Sequence, residues 1–167
     1  MALNPHLVAS QWLSQFSSAL RDEDAKAFAD LFLSNGWLRD ILVFSWDIRA
    51  LEGREKILVY LTDRFSDARI TAVQLNETPE LSPRACKIPV SQVPGVELAF
   101  TFECQRGHGR AHVRLAPDVN VDGTHRASTM YTELGDLPGY EELSALPPPD
   151  QTAETNPHVI IGELRNL

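Results

Sequence analysis

Asp40 is one of several residues in this chain whose type could do proton chemistry. It lies in the stretch GWLRDILVFSWDIRALEG, where aromatic and apolar side chains surround an Arg39-Asp40 pair and a second acid and base, Asp47 and Arg49. A carboxylate at the rim of an apolar pocket has its pKa raised by lost hydration, which suits it to move protons. Its structural alternative is an ion pair with Arg39 or Arg49, and for WDIR a side-chain network that fixes a bend. His112 and His125 fall in two later segments of alternating pattern, and Tyr131 and Glu133 alternate on the second of them. An imidazole titrates near neutrality and can give or accept a proton; on a strand it can equally face solvent. His108 and His112, four residues apart, suggest a metal pair. Zinc takes three or four ligands, however, and spacing places neither a third histidine nor a thiolate, so no metal is expected. No Ser/His/Asp or Cys/His order stands out.

These residues need elements to position them. From His6 to Arg21 the apolar residues Val8, Trp12, Leu13, Phe16, Ala19 and Leu20 recur at spacings of three and four, the stripe of an amphipathic helix. Asp22 or Asp24 offers an N-cap for a second, shorter helix with Phe28, Leu31 and Phe32 on its buried face, ended by Asn35 and Gly36. The Asp40 segment has no helical stripe and reads as extended, with a bend near Ser45 to Asp47; after Gly53 a third helix runs from Arg54 to Phe65. The remainder reads as strands: RITAVQLNE, then VELAFTFECQ, GRAHVRLAP and HRASTMYTEL, separated by glycine-bearing turns. VELAFTFECQ sets Val96, Leu98, Phe100, Phe102 and Cys104 on one face. Helices followed by a meandering sheet bury both kinds of apolar face only if the sheet curls over the helices, and such a sheet, closed at one end, leaves a cavity at the other.

A chain of 167 residues with 43% apolar and 23% charged side chains suits one domain with its own core. The expected division is a domain over 1–137 and, over 138–167, a tail rich in Pro, Glu, Ser and Thr that wraps the surface or stays partly disordered, with HVIIG as its short apolar exception. The net charge of −8 and the lack of a basic, aromatic-interleaved cluster exclude nucleic acid as the expected partner. No apolar run approaches the roughly 20 residues of a membrane span. Two unpaired cysteines, Cys86 and Cys104, and no secretion signal point to a reducing, cytoplasmic setting.

The order of elements, and the segments SALRDEDAKAFADLFLSNGWLRD and LEGREKILVYL within Trp12 to Leu134, resemble nuclear transport factor 2-like (SnoaL-like) domains. That resemblance implies an α+β cone, a curved antiparallel sheet on three helices around one small-molecule pocket. More narrowly, WLRDILVFSWDIRALEGREKI is similar to the amino-terminal domain of fungal and bacterial flavin-containing monooxygenases, through Trp37, Arg39, Asp40, Trp46, Asp47, Arg49 and Gly53. In those enzymes a dinucleotide-binding domain follows. NPHVIIG looks like its first strand, but no GxGxxG occurs, so FAD or NAD binding by this chain alone is not expected, and no cofactor is. The expectation is a free-standing derivative or a truncated product.

Set against ketosteroid isomerases, Asp40 falls where that family places its general base. Phe16 stands in place of its oxyanion-binding tyrosine, and His112 or Arg114 in place of its protonated aspartate, so steroid isomerisation does not carry over. Scytalone dehydratases, of the same fold, oppose histidine and aspartate across the cavity. The resemblance thus implies a cofactor-independent isomerase or lyase, a cyclase or dehydratase of secondary metabolism, acting on a small hydrophobic substrate. Asp40 and His112 would be its acid and base pair, and Trp37, Trp46, Arg49, Phe100 and Tyr131 its pocket. The alternative is a non-catalytic ligand-binding or dimerisation module working beside a flavin enzyme. A homodimer through the sheet is expected under both. The enzyme needs a closed cavity around a carboxylate of raised pKa, and the module an exposed sheet face fit for a partner.

Overall fold

The structure, a computed structural model, describes residues 3–89, 91–121, 123–136 and 139. Its elements run α1 (Pro5–Arg21), α2 (Ala25–Ala29), β1 (Phe32–Ile41), β2 (Ile48–Glu52), α3 (Arg54–Thr62), α4 (Phe65–Ala68), β3 (Thr71–Leu75), β4 (Arg84–Lys87), β5 (Pro94–Cys104), β6 (Gly107–Pro117) and β7 (His125–Asp136). The expected tail and its HVIIG segment lie, apart from Gly139, outside the described residues. No helix among the described residues is long and apolar enough to cross a membrane.

Local chemistry explains the first helices. The Asn4 side chain accepts from the Leu7 amide at 3.2 Å, Pro5 occupies a first turn that needs no N–H, and Ala9, Trp12, Leu13, Phe16 and Ala19 form the buried stripe. Asp24 caps α2, accepting from the Ala27 amide at 2.8 Å. That helix is shorter than the sequence suggests. It stops at Ala29, and Phe32, Asn35 and Gly36 belong to β1. Gly36 terminates no helix. A Cβ there would sit 2.6 Å from the Ala127 carbonyl oxygen, so the glycine lets β1 close on β7 where their register shifts between Phe32 and Trp37.

The sheet runs β2-β1-β7-β6-β5-β3, with β4 also pairing with β5. It is mixed, because β1 and β7 are parallel, and it carries four helices, where a purely antiparallel sheet on three was expected. A parallel pair needs a long crossover, and here most of the chain supplies it.

Register settles the two faces. Asp40, Thr132, Ala111 and Phe100 align across β1, β7, β6 and β5 on the inner face, while Arg39, Tyr131, His112 and Ala99 align on the outer one. Against the inner face the helices bring Trp12, Phe16, Phe28 and Phe65, with Phe44 from the β1–β2 loop, into one core with Phe32, Phe100 and Phe102. Phe16 lies 5.1 Å from Phe100 and 5.3 Å from Phe28 between ring centres, in tilted contacts that favour aromatic pairs.

Gly36→Ala forces the Ala127 carbonyl to move. The expected cost is about 1–3 kcal/mol, read as a lower urea midpoint at unchanged slope; an unchanged midpoint would show that β1 and β7 tolerate the extra atom.

Candidate functional site

Asp40 sits where β1 ends and the chain leaves through Leu42, at φ 66°, toward β2. Its Oδ1 accepts from the Val43 amide at 3.2 Å and the Thr132 hydroxyl at 2.9 Å; its Oδ2 accepts from the Phe44 amide at 3.2 Å and the Tyr60 hydroxyl at 2.8 Å. The tyrosine's single proton is thereby spent, so the Ser45 hydroxyl, 2.9 Å away, donates to Tyr60 while its oxygen accepts from the Asp47 amide. Asp40 is 0% exposed, so a water molecule touches none of its surface. Burial pushes its carboxyl above the ordinary value, and the Tyr60, Thr132, Phe44 and Val43 bonds offset that only in part. Burial, together with the adjacent Asp40, pushes the Tyr60 hydroxyl up to about 12.

Neither arginine of the expected ion pair is there. Arg39 faces outward by register, and Arg49 bonds Asp47. Hydroxyls and amides do the work assigned to guanidinium. With every contact spent on the protein's own donors, Asp40 holds backbone, and it acts as a base only when one of those donors lets go.

The remaining candidates divide between surfaces. His112 does not face Asp40: it stands on the outer face, its Nε2 3.8 Å from Glu97. Burial lowers its pKa against the pull of Glu97, which favours neutral imidazole. Phe100 has its side chain on the inner face, in the core at 1% exposure, while the residue also borders a trough on the outer face. Trp46 projects from the loop at 66% exposure with the Arg106 guanidinium 5.0 Å from its ring centre. Trp37 and Tyr131 share the outer face with His112. Sequence patterning marks neither Tyr60, Thr132 nor Ser45 as a site residue. Tyr60 lay on the α3 stripe and Thr132 between Met130 and Leu134, and a buried hydroxyl in such company always needs a partner.

The outer face carries a ladder of charge. Glu97 takes hydrogen bonds from Arg84 and, at 3.3 Å, Arg114; burial alone would raise its pKa, but these arginines hold it below the usual range. Arg110 bonds Glu133 at 2.7 Å, and His108 lies 2.7 Å from Glu103. Beside this ladder is a trough of about 540 Å³ lined by Ala99, His112, Tyr131, Leu81, Asn76 and Thr101 among others. Two open grooves of about 580 and 400 Å³ follow α1 and share Ser14 and Gln15; the larger is bordered by His125, whose pKa burial lowers. Among the described residues no group of three or more His, Cys, Asp or Glu side chains is placed to hold a metal.

Asp40→Asn puts an amide donor among four donors. The expected loss is about 3 kcal/mol in chemical denaturation. The raised pKa fixes the sign of the pH effect: the native state binds the proton more tightly, so Asp40's contribution is full below 3.8 and falls as pH rises through the native pKa. The advantage of wild type over Asp40→Asn should therefore shrink with rising pH; growth would show that the carboxylate form is the stabilising one.

No family model matches the sequence, and no curated protein matches it. Solved structures do. The fold is similar to an NTF2-like protein of unknown function from Pseudomonas putida KT2440, at 13% identity and TM-score 0.58 over 86% of this chain and 96% of that one. It is similar to the yeast Ubp3-associated protein Bre5, at 11% identity and TM-score 0.56 over 79% and 97%. A third is ActVI-ORFA from Streptomyces coelicolor, at 14% identity and TM-score 0.52 over 75% and 93%. At these identities the likeness speaks to architecture, and the architecture is the NTF2-like α+β cone.

Proposed function

We propose that this chain is a non-catalytic pairing module, two copies of which join through the outer faces of their sheets. The distribution of charge carries this reading. The whole chain bears −8, so two copies repel over most of their surface. On the outer face Arg39, Arg84, Arg110 and Arg114 stand among Glu52, Glu97, Glu103 and Glu133, which leaves it close to neutral. Trp37 and Ile48 add exposed apolar surface there, at 45% and 58%. A two-fold contact lets the arginines and glutamates of one copy meet their opposites on the other.

The inner face supports the same reading from the other side. Aromatic rings occupy the space between sheet and helices, and the Asp40 carboxylate there is sealed from solvent. The resemblance to monooxygenase amino-terminal domains suits a module that works beside another unit. Bre5, of similar fold, is described as Ubp3-associated, so the fold is compatible with partnership between proteins.

Acid and base catalysis on a hydrophobic secondary metabolite is the second reading, favoured by the raised pKa of Asp40. It requires Tyr60 to release the carboxylate to a ligand, and it leaves His112 outside the reaction.

Sedimentation across the micromolar range is expected to give a species of twice the 18.6 kDa chain. Arg114→Glu, which sets a second carboxylate against Glu97, should weaken association about tenfold. A wild type that stays monomeric overturns the pairing. Turnover of a metabolite by wild type without added cofactor, lost in a folded Asp40→Asn, would establish the second reading instead.

A further inference from the structure

We infer that Trp37 of one copy seats in the outer-face trough of the other, a step that rests on the pairing proposed above. Among the described residues, none fills the trough or fully covers Trp37. Trp37 points away from the core by register, yet leaves 45% of its surface to solvent. The trough is about 540 Å³, within the range of pockets that hold a bulky group.

A two-fold symmetry relates their positions. In the sheet order, β7 separates β1, which carries Trp37, from β6, which carries His112. A two-fold axis running along β7, between two stacked outer faces, exchanges β1 of one copy with β6 of the other. Trp37 then stands over β6 at the row it shares with Thr129 and Arg114. The row of Tyr131 and His112 is the next one, about 7 Å along the strand, a distance that the reach of an indole and the crossing angle of stacked sheets cover together. Such a contact is isologous, so it occurs twice per dimer.

The chemistry of the seat fits an indole. Ala99 contributes only a methyl group between larger neighbours, which is why space exists there. Leu81, 45% exposed, offers an apolar wall; Tyr131 and His112 offer aromatic edges; the Arg110 guanidinium, held by Glu133, can lie against the ring face. The indole N–H has the Thr101 hydroxyl and the Asn76 carbonyl within the same trough as acceptors. A large aromatic anchor in a pocket, ringed by charge pairs, is how a small interface concentrates its affinity.

Sedimentation equilibrium on four full-length variants tests this. Trp37→Ala removes the anchor and Ala99→Phe fills the seat; each should raise the dissociation constant at least about tenfold. Val59→Ser, at a 72% exposed position on α3 at the opposite side of the sheet, should leave it unchanged. Arg114→Glu reports on the face itself. Urea midpoints confirm that Ala99→Phe is folded, and Trp37→Ala, at an exposed position, stands in if it is not. If wild type dimerises and Arg114→Glu weakens it while Trp37→Ala or Ala99→Phe has no effect in folded protein, the seating is wrong and the pairing stands. If wild type is monomeric, both fall.

Discussion

Four donors converge on the carboxylate of Asp40: two amides of the loop that follows it, a hydroxyl from α3 and a hydroxyl from β7. These contacts join β1, the loop after it, α3 and β7. Removing a carboxylate from water costs several kcal/mol, and such a group persists only where its lone pairs are used. Here their use fixes the exit angle of β1, the rotation of α3 and the pairing of β1 with β7 at once. The loop that carries Phe44 into the core is held by the same bonds. Asp40 therefore acts on the aromatic core through backbone.

The core completes what the carboxylate begins. A curved sheet with helices on its concave side can enclose a cavity, and this one is occupied by Phe16, Phe28, Phe32, Phe44 and Phe100, each at most 1% exposed. Close-packed rings resist compression and hold the curvature of the sheet. They also move the interest of the molecule to its convex side. There the alternation that places phenylalanines inward on β5 necessarily places Glu97, Ala99 and Thr101 outward, so the charge ladder and the gap beside it are the reverse of the core's own pattern.

Much of this was legible in the sequence, and the exceptions have physical causes. The period of two in VELAFTFECQ gave both faces of β5, and the spacing of Trp12, Leu13 and Phe16 gave the buried side of α1. What periodicity within one strand cannot say is which residue of another strand shares its face. That parity depends on register, and a one-residue slip exchanges the faces. Irregularities between Phe32 and Trp37 and between Arg114 and Leu115 set it here, and they place His112 behind the sheet from Asp40. Gly36 misled because a glycine that ends a helix and one that admits a neighbouring carbonyl look alike in a sequence. RACK, which forms β4, is too short and too charged to show an alternation at all.

The parallel partnership of β1 and β7 also sets a timetable. Thr132 follows Asp40 by 92 residues. At a synthesis rate of roughly 5–20 residues per second, the first strand waits about 5–20 s for the last one to be made. During that interval β1 is an open edge, with Phe32 and Leu38 uncovered on one side, and an open edge is a template for any other strand nearby. The antiparallel hairpin of β5 and β6 can form while the chain is still growing, but the sheet cannot be sealed until β7 leaves the ribosome. The nascent chain's exposure to aggregation, and its call on chaperones, thus ends with the arrival of β7.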